Sequence, residues 1–170
     1  MTLDRLWAGW RSSYIDGIAN EPPRVGPDGC LFCGLAAGDP EQMMVLARND
    51  HAFAVMNAYP YNSGHLMVSP LRHVQRLGDL EPHEAAGVME LMREATLAVE
   101  VAYRPDGQNV GMNLGRAAGA GVPDHMHVHV LPRWGGDTNF MTAVAETRVL
   151  PESLDTSYRK LRDAWATLQR

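Results

Sequence analysis

His125-Met126-His127-Val128-His129-Val130-Leu131-Pro132 is the stretch on which the reading of this chain turns. Three histidines alternate with apolar residues, and a proline closes the run. A strand sends successive side chains to opposite faces. His125, His127 and His129 then share one wall, while Met126, Val128 and Val130 point into a core. A helix would carry His127 away from the other two, and the valines favour extended backbone. Imidazole changes charge near neutral pH without help. The wall therefore points to metal binding, or to nucleophilic or acid–base catalysis.

The rest of the chain bounds the answer. At 170 residues it is read as one domain with room for a real core. Hydrophobic content of 45% and charged content of 21% are ordinary for a globular protein. A net charge of −5 argues against a platform for nucleic-acid backbone, so no nucleic-acid partner is expected. No apolar run approaches the roughly 20 residues of a membrane span, and the opening residues have no signal-peptide core. Two cysteines, Cys30-x-x-Cys33, are too few for a disulfide scaffold and fit a reducing compartment. The expectation is a soluble cytoplasmic domain with no membrane partner.

Along the chain, residues 3 to 16 suggest a short helix or packing arm, and residues 20 to 29 a Pro- and Gly-dense loop. Extended runs are expected at Met43–Ala47, Ala52–Asn57 and His65–Ser69, with turns at Asn49-Asp50 and Pro60–Gly64. Pro82 suits a helix's first turn, and Val88, Met92, Ala95, Val99 and Ala102 give that helix an apolar face through Tyr103. Val110, Met112 and Leu114 predict the buried face of a further strand whose other face is small. Leu154, Tyr158, Leu161, Trp165 and Leu168 stripe a terminal helix over residues 151 to 168.

Several residues could carry chemistry. Gly115, Gly119 and Gly121 punctuate a loop whose backbone amides could cradle an anion. Alternate residues of a strand lie about 7 Å apart, so three histidines of one straight strand cannot converge on a single ion. A neutral imidazole can instead attack phosphorus and form a reactive phosphoramidate, provided its other nitrogen is held. The cysteine pair lacks a clear thioredoxin-like context, and zinc there needs two more ligands. His51 and His83 read as surface or turn residues, and Trp134 as core or a dimer contact.

The histidine run matches the His-φ-His-φ-His-φ-φ signature of the histidine triad superfamily of nucleotidyl transferases and hydrolases, φ being apolar. Asn57–Val68 resembles its ribose-holding strand-turn-strand, and Asn113-Leu114-Gly115 the strand before its phosphate loop. Leu131–Met141 and Leu6–Ile15 are similar to the bacterial diadenosine tetraphosphate phosphorylase-like branch. The resemblance implies an α+β fold: an antiparallel sheet of about five strands with a long packed helix and a C-terminal helix. It implies one domain over residues 1–170, with an N-terminal arm and loop (1–29), a core (30–141) and a C-terminal extension (142–170). It also implies a homodimer, in which the helix around residues 82 to 103 meets a partner.

Carried over by motif, His127 is the nucleophile on the α-phosphorus, flanked by His125 and His129. Asn57 and His65 line the ribose pocket, and Asn113 with Gly115 faces the α-phosphate. Relatives with the cysteine pair bind structural zinc, which places the ligands at Cys30, Cys33, His73 and His125; no organic cofactor is implied. One departure stands out. The hydrolase branch has glutamine, and the phosphoramidase branch serine, four residues before the first histidine; this chain has Gly121. The implied reaction is cleavage of diadenosine tetraphosphate or a related dinucleoside polyphosphate through an adenylyl-histidine, with inorganic phosphate as acceptor and ADP and ATP as products. A hydrolase using water and a nucleotide-binding regulatory module are the alternatives.

Overall fold

The computed structural model describes residues 29–137 and 150–168. The expected N-terminal arm, most of the loop after it, and Thr138–Met141 lie outside the described residues. Five strands form one sheet: β1 (Val45–Arg48), β2 (Ala52–Met56), β3 (Leu66–Pro70), β4 (Gly107–Gly111) and β5 (Val128–Arg133). Their order is β1-β2-β3-β5-β4, and every neighbouring pair is antiparallel. Among the described residues three α-helices accompany them: α1 (Leu31–Ala37), α2 (Pro82–Tyr103) and α3 (Leu154–Leu168). The α+β architecture expected from the sequence is the one observed.

The two faces of the sheet have different covers. Ala52, Ala54, Met56, Leu66, Val68, Val128 and Val130 form one core with Val88, Leu91, Ala95 and Val99 of α2 and Tyr158, Leu161 and Trp165 of α3. Phe53, Val55 and Met67 point to the other face and pack with Phe32 and Leu35 of α1 and with Cys30. Burial on both faces explains why β2 and β3 read as continuous apolar runs. Pro82 opens α2, where Glu81 and Glu84 form a reciprocal capping box. Arg104 closes it in the left-handed conformation.

Two expectations need correction. The histidine strand is shorter than the sequence suggests, starting at Val128 rather than His125. Pro70, which the β3–β5 register would bring opposite Met126, has no N–H to give. Its carbonyl takes His125 Nε2–H instead, and Met126 donates to the Val74 carbonyl at 2.7 Å. The alternation of faces persists nonetheless, with Met126, Val128 and Val130 buried. Val110 and Leu114 were expected to be buried, yet each is 45% exposed. They belong to the β4 margin, the outer strand beside β5, and only Met112 among the three packs on the core.

Candidate active site and metal centre

The histidines divide into two groups along their run. At its start, His125 is fully buried between α1 and the loop after β3. Its Nδ1 lies 3.3 Å from Cys30 Sγ and 3.6 Å from Cys33 Sγ, and Cys33 Sγ lies 3.3 Å from His73 Nδ1. All four donor atoms fall within 4.8 Å of one another. Ligands about 2.0 to 2.3 Å from a tetrahedral zinc stand about 3.6 Å apart, so two thiols and two imidazoles in this arrangement fit the ion. His125 gives its Nε2–H to the Pro70 carbonyl at 3.0 Å, which fixes the tautomer that presents Nδ1 to a metal.

His127 lies on the same wall, next to His125. Its Nδ1–H donates to the His125 carbonyl at 3.0 Å, leaving the Nε2 lone pair available. Phe32, from between the two cysteines, stacks on the ring at 4.6 Å with planes 26° apart. Burial holds the His127 pKa below the ordinary value, opposed by the bond to the carbonyl. A neutral imidazole with one nitrogen tied and the other free is a nucleophile.

His129 carries the opposite tautomer. The Tyr61 N–H donates to His65 Nδ1 at 3.1 Å, so the neutral His65 ring bears its proton on Nε2. That nitrogen lies 2.9 Å from His129 Nδ1, which must accept. His129 therefore keeps its proton on Nε2, as a donor. Burial, then the neighbouring His127, lowers its pKa to about 4, so it is neutral at physiological pH. Asn57, itself buried, holds its amide nitrogen 3.3 Å from both ring nitrogens of His65 and accepts the Tyr59 N–H. Tyr61 stacks against His129 and lies over His65.

The glycine-rich loop completes the surroundings. Gly111 pairs with His129, and the antiparallel direction leads the chain from there towards the His127 end of β5. Asn113 Nδ2 reaches the Gly119 carbonyl at 3.5 Å. Gly115 and Gly119 have φ of +85° and +91°, which a side chain would strain, and Ala118 and Ala120 both donate to the Gly115 carbonyl. Gly121 is exposed. Among the expected site residues, His65, Asn57, His127 and His129 meet directly, and Cys30, Cys33, His73 and His125 form a second cluster. Asn113, Gly115 and Gly119 are joined within their own loop. His125, with one nitrogen in the thiol cluster and the other on a carbonyl, reaches His127 through its backbone oxygen.

Phe32 and Tyr61 were not singled out in the sequence. Their ring contacts depend on distant segments; the only local signal was the place of Phe32 between two ligands. His51 and His83 meet edge to face at 4.8 Å, away from both clusters, as ordinary residues.

Comparison with known proteins agrees with this geometry. The HIT domain family profile matches residues 41–136. The chain belongs to the histidine triad family. An AP-4-A phosphorylase of Mycobacterium tuberculosis is 40% identical to it over 169 residues, covering 96% of this chain and 85% of the relative. A zinc-bound histidine triad family protein from Mycobacterium smegmatis superposes with a TM-score of 0.69 at 29% identity, covering 85% of this chain and 98% of that one. A histidine triad nucleotide-binding protein from Sulfolobus tokodaii has the same fold, with a TM-score of 0.67, 24% identity and 83% and 95% coverage. This histidine triad protein is an enzyme of the phosphorylase or hydrolase type.

Proposed function

We propose that this enzyme is a dinucleoside polyphosphate phosphorylase, acting on diadenosine tetraphosphate or a close relative with inorganic phosphate as second substrate. The observation that carries the reading is the pair of opposed tautomers on adjacent sites of one strand. His127 presents a lone pair, and His129 presents an N–H. Identity of 40% to the AP-4-A phosphorylase supports the substrate class.

In this reading His127 Nε2 attacks the α-phosphorus. A nitrogen–phosphorus bond forms, the bond to the bridging oxygen breaks, and ATP leaves from the tetraphosphate. The ring becomes cationic, and the His125 carbonyl on Nδ1–H stabilises that charge without having to move. His129 donates Nε2–H to an oxygen of the reacting phosphate. An oxygen of inorganic phosphate then attacks the same phosphorus, the nitrogen–phosphorus bond breaks, and ADP leaves. Asn57 and His65 line the ribose side, and Asn113, Gly115, Gly119 and Gly121 offer amides to phosphate. Gly121 supplies no side chain to help the leaving group, so the acceptor, phosphate or water, is decided by the product analysis below.

Zinc, when bound by Cys30, Cys33, His73 and His125, supplies a structural cross-link and no reaction chemistry. We assign the protein to the cytoplasm, whose reducing conditions suit a chain with only two cysteines, Cys30 and Cys33. Among the described residues no helix is long and apolar enough to cross a membrane. We also assign a homodimer. It would cover the β4 margin, where Val110 and Leu114 are exposed, and the outer face of α2, where Met89, Leu97 and Val101 are exposed.

The test is product analysis with diadenosine tetraphosphate, with and without phosphate. ADP and ATP formed only with phosphate support the phosphorylase. AMP formed without phosphate makes the enzyme a hydrolase, and binding without turnover makes it a regulatory module. His127→Ala is expected to lower turnover by about 10³-fold or more; near-normal turnover would remove the nucleophile assignment.

A further inference from the structure

One side chain joins the C-terminal segment to the triad. Tyr103, the last residue of α2, donates its hydroxyl to Glu152, just before α3. Glu152 also accepts from Ser157 Oγ at 2.7 Å and pairs with Lys160, whose ammonium lies 5.4 Å from the centre of the Tyr103 ring. The ring itself is pressed against Gly64. A Cβ built on Gly64 would stand 2.5 Å from Tyr103 Cε2 and 2.9 Å from Cζ, and Gly64 has a φ of +79°. Only glycine meets both conditions.

Gly64 ends the turn that shapes the His65 environment. The His65 N–H donates to the Asn62 carbonyl at 3.2 Å, and the His65 ring takes the Tyr61 N–H on one side and meets His129 on the other. Asn62 reaches Asp137 and the Pro132 carbonyl, which ties the same turn to the end of β5. Trp134 meets the Tyr103 ring edge to face at 6.0 Å. The turn is thus held from β5 by Asn62 and from α2 by an aromatic ring anchored on Glu152. The three atoms nearest to the open side of Gly64 all belong to that ring.

We propose that Tyr103 is a positioning residue: its ring, tethered by Glu152, fixes the Gly64 turn and thereby the His65–His129 hydrogen bond. Its catalytic consequence rests on the reaction proposed above, whereas the coupling itself does not. Loss of the hydrogen bond would free His129 to change tautomer and lose the N–H it offers to phosphate. Misplacement on this scale lowers the reaction rate more than the affinity.

The experiment uses the full-length protein labelled with 15N at histidine, and reads the imidazole protons without substrate. Wild type should show a proton on His65 Nε2, protected from solvent, with His129 Nδ1 as acceptor. Tyr103→Leu removes the ring and should lose that protected proton. With diadenosine tetraphosphate and phosphate, its kcat should fall roughly tenfold or more while KM changes less. Tyr103→Phe keeps the ring but loses the tether, so the proton should persist with faster solvent exchange and most of kcat should return. Should the leucine protein not fold, the phenylalanine protein and Glu152→Gln give the same reading, both with faster exchange. A folded Tyr103→Leu protein that keeps the protected proton, or a Tyr103→Phe protein that exchanges like wild type, overturns the proposal. Wild type that turns over no dinucleotide would overturn the reaction instead, and that result is separate from the proton signal.

Discussion

At the scale of single residues, what separates three similar histidines is the partner on the second ring nitrogen. A carbonyl on His127 makes it a lone-pair donor; a histidine N–H on His129 makes it a proton donor; a carbonyl opposite two thiols suits His125 to a metal. These partners lie as far as 95 residues away in sequence, as for Cys30 and His125, so the run alone shows three equivalent rings. The neutral state of His129 has a consequence for stability. The unfolded ring takes up its proton near pH 6.5 and the folded ring only near 4. Between those values the unfolded state holds more protons, so native stability falls as pH falls, by at most about 1.4 kcal/mol per pH unit for this group. Urea unfolding followed from pH 7 to 4 should show a shallower decline in His129→Gln than in wild type. Equal slopes would mean that His129 is not held neutral by the fold.

At the scale of elements, α1 couples the thiol cluster to His127. Cys30 precedes it, Cys33 lies within it, and Phe32 between them covers the His127 ring. A metal that fixes the cysteines therefore also fixes the ring stacked on His127. Protein purified without chelator is expected to carry about one zinc per chain by elemental analysis. Cys33→Ser should lose the metal and melt at a lower temperature. A metal-free wild type with an unchanged melting point would remove the zinc centre. Most elements were legible from sequence: the apolar period of α2, its Pro82 start and the runs of β2 and β3 are local signals. The start of β5 was not, because Pro70 of a different strand decides where pairing begins. The Val110 face was misjudged for a related reason. Alternation marks an apolar face, but what covers it lies beyond the strand.

At the scale of the whole molecule, the sheet separates structure from chemistry. Helices α2 and α3 cover one face, and the two histidine clusters lie on the other, reached by α1 and the Tyr61–His65 turn. The β4 margin remains an exposed apolar edge, and a second copy of the chain would cover it. Sedimentation should give twice the mass of one chain, and Val110→Asp should shift it towards the monomer; a wild-type monomer at micromolar concentration would contradict the dimer. The most direct measurement of the covalent step incubates the enzyme with diadenosine tetraphosphate without phosphate, digests it under mildly alkaline conditions and locates any adenylyl group by mass spectrometry. The expected result is one adenylyl group on His127, discharged as ADP when phosphate is added. An enzyme that forms ADP and ATP with no adenylyl-protein, or with the group on another residue, would contradict it.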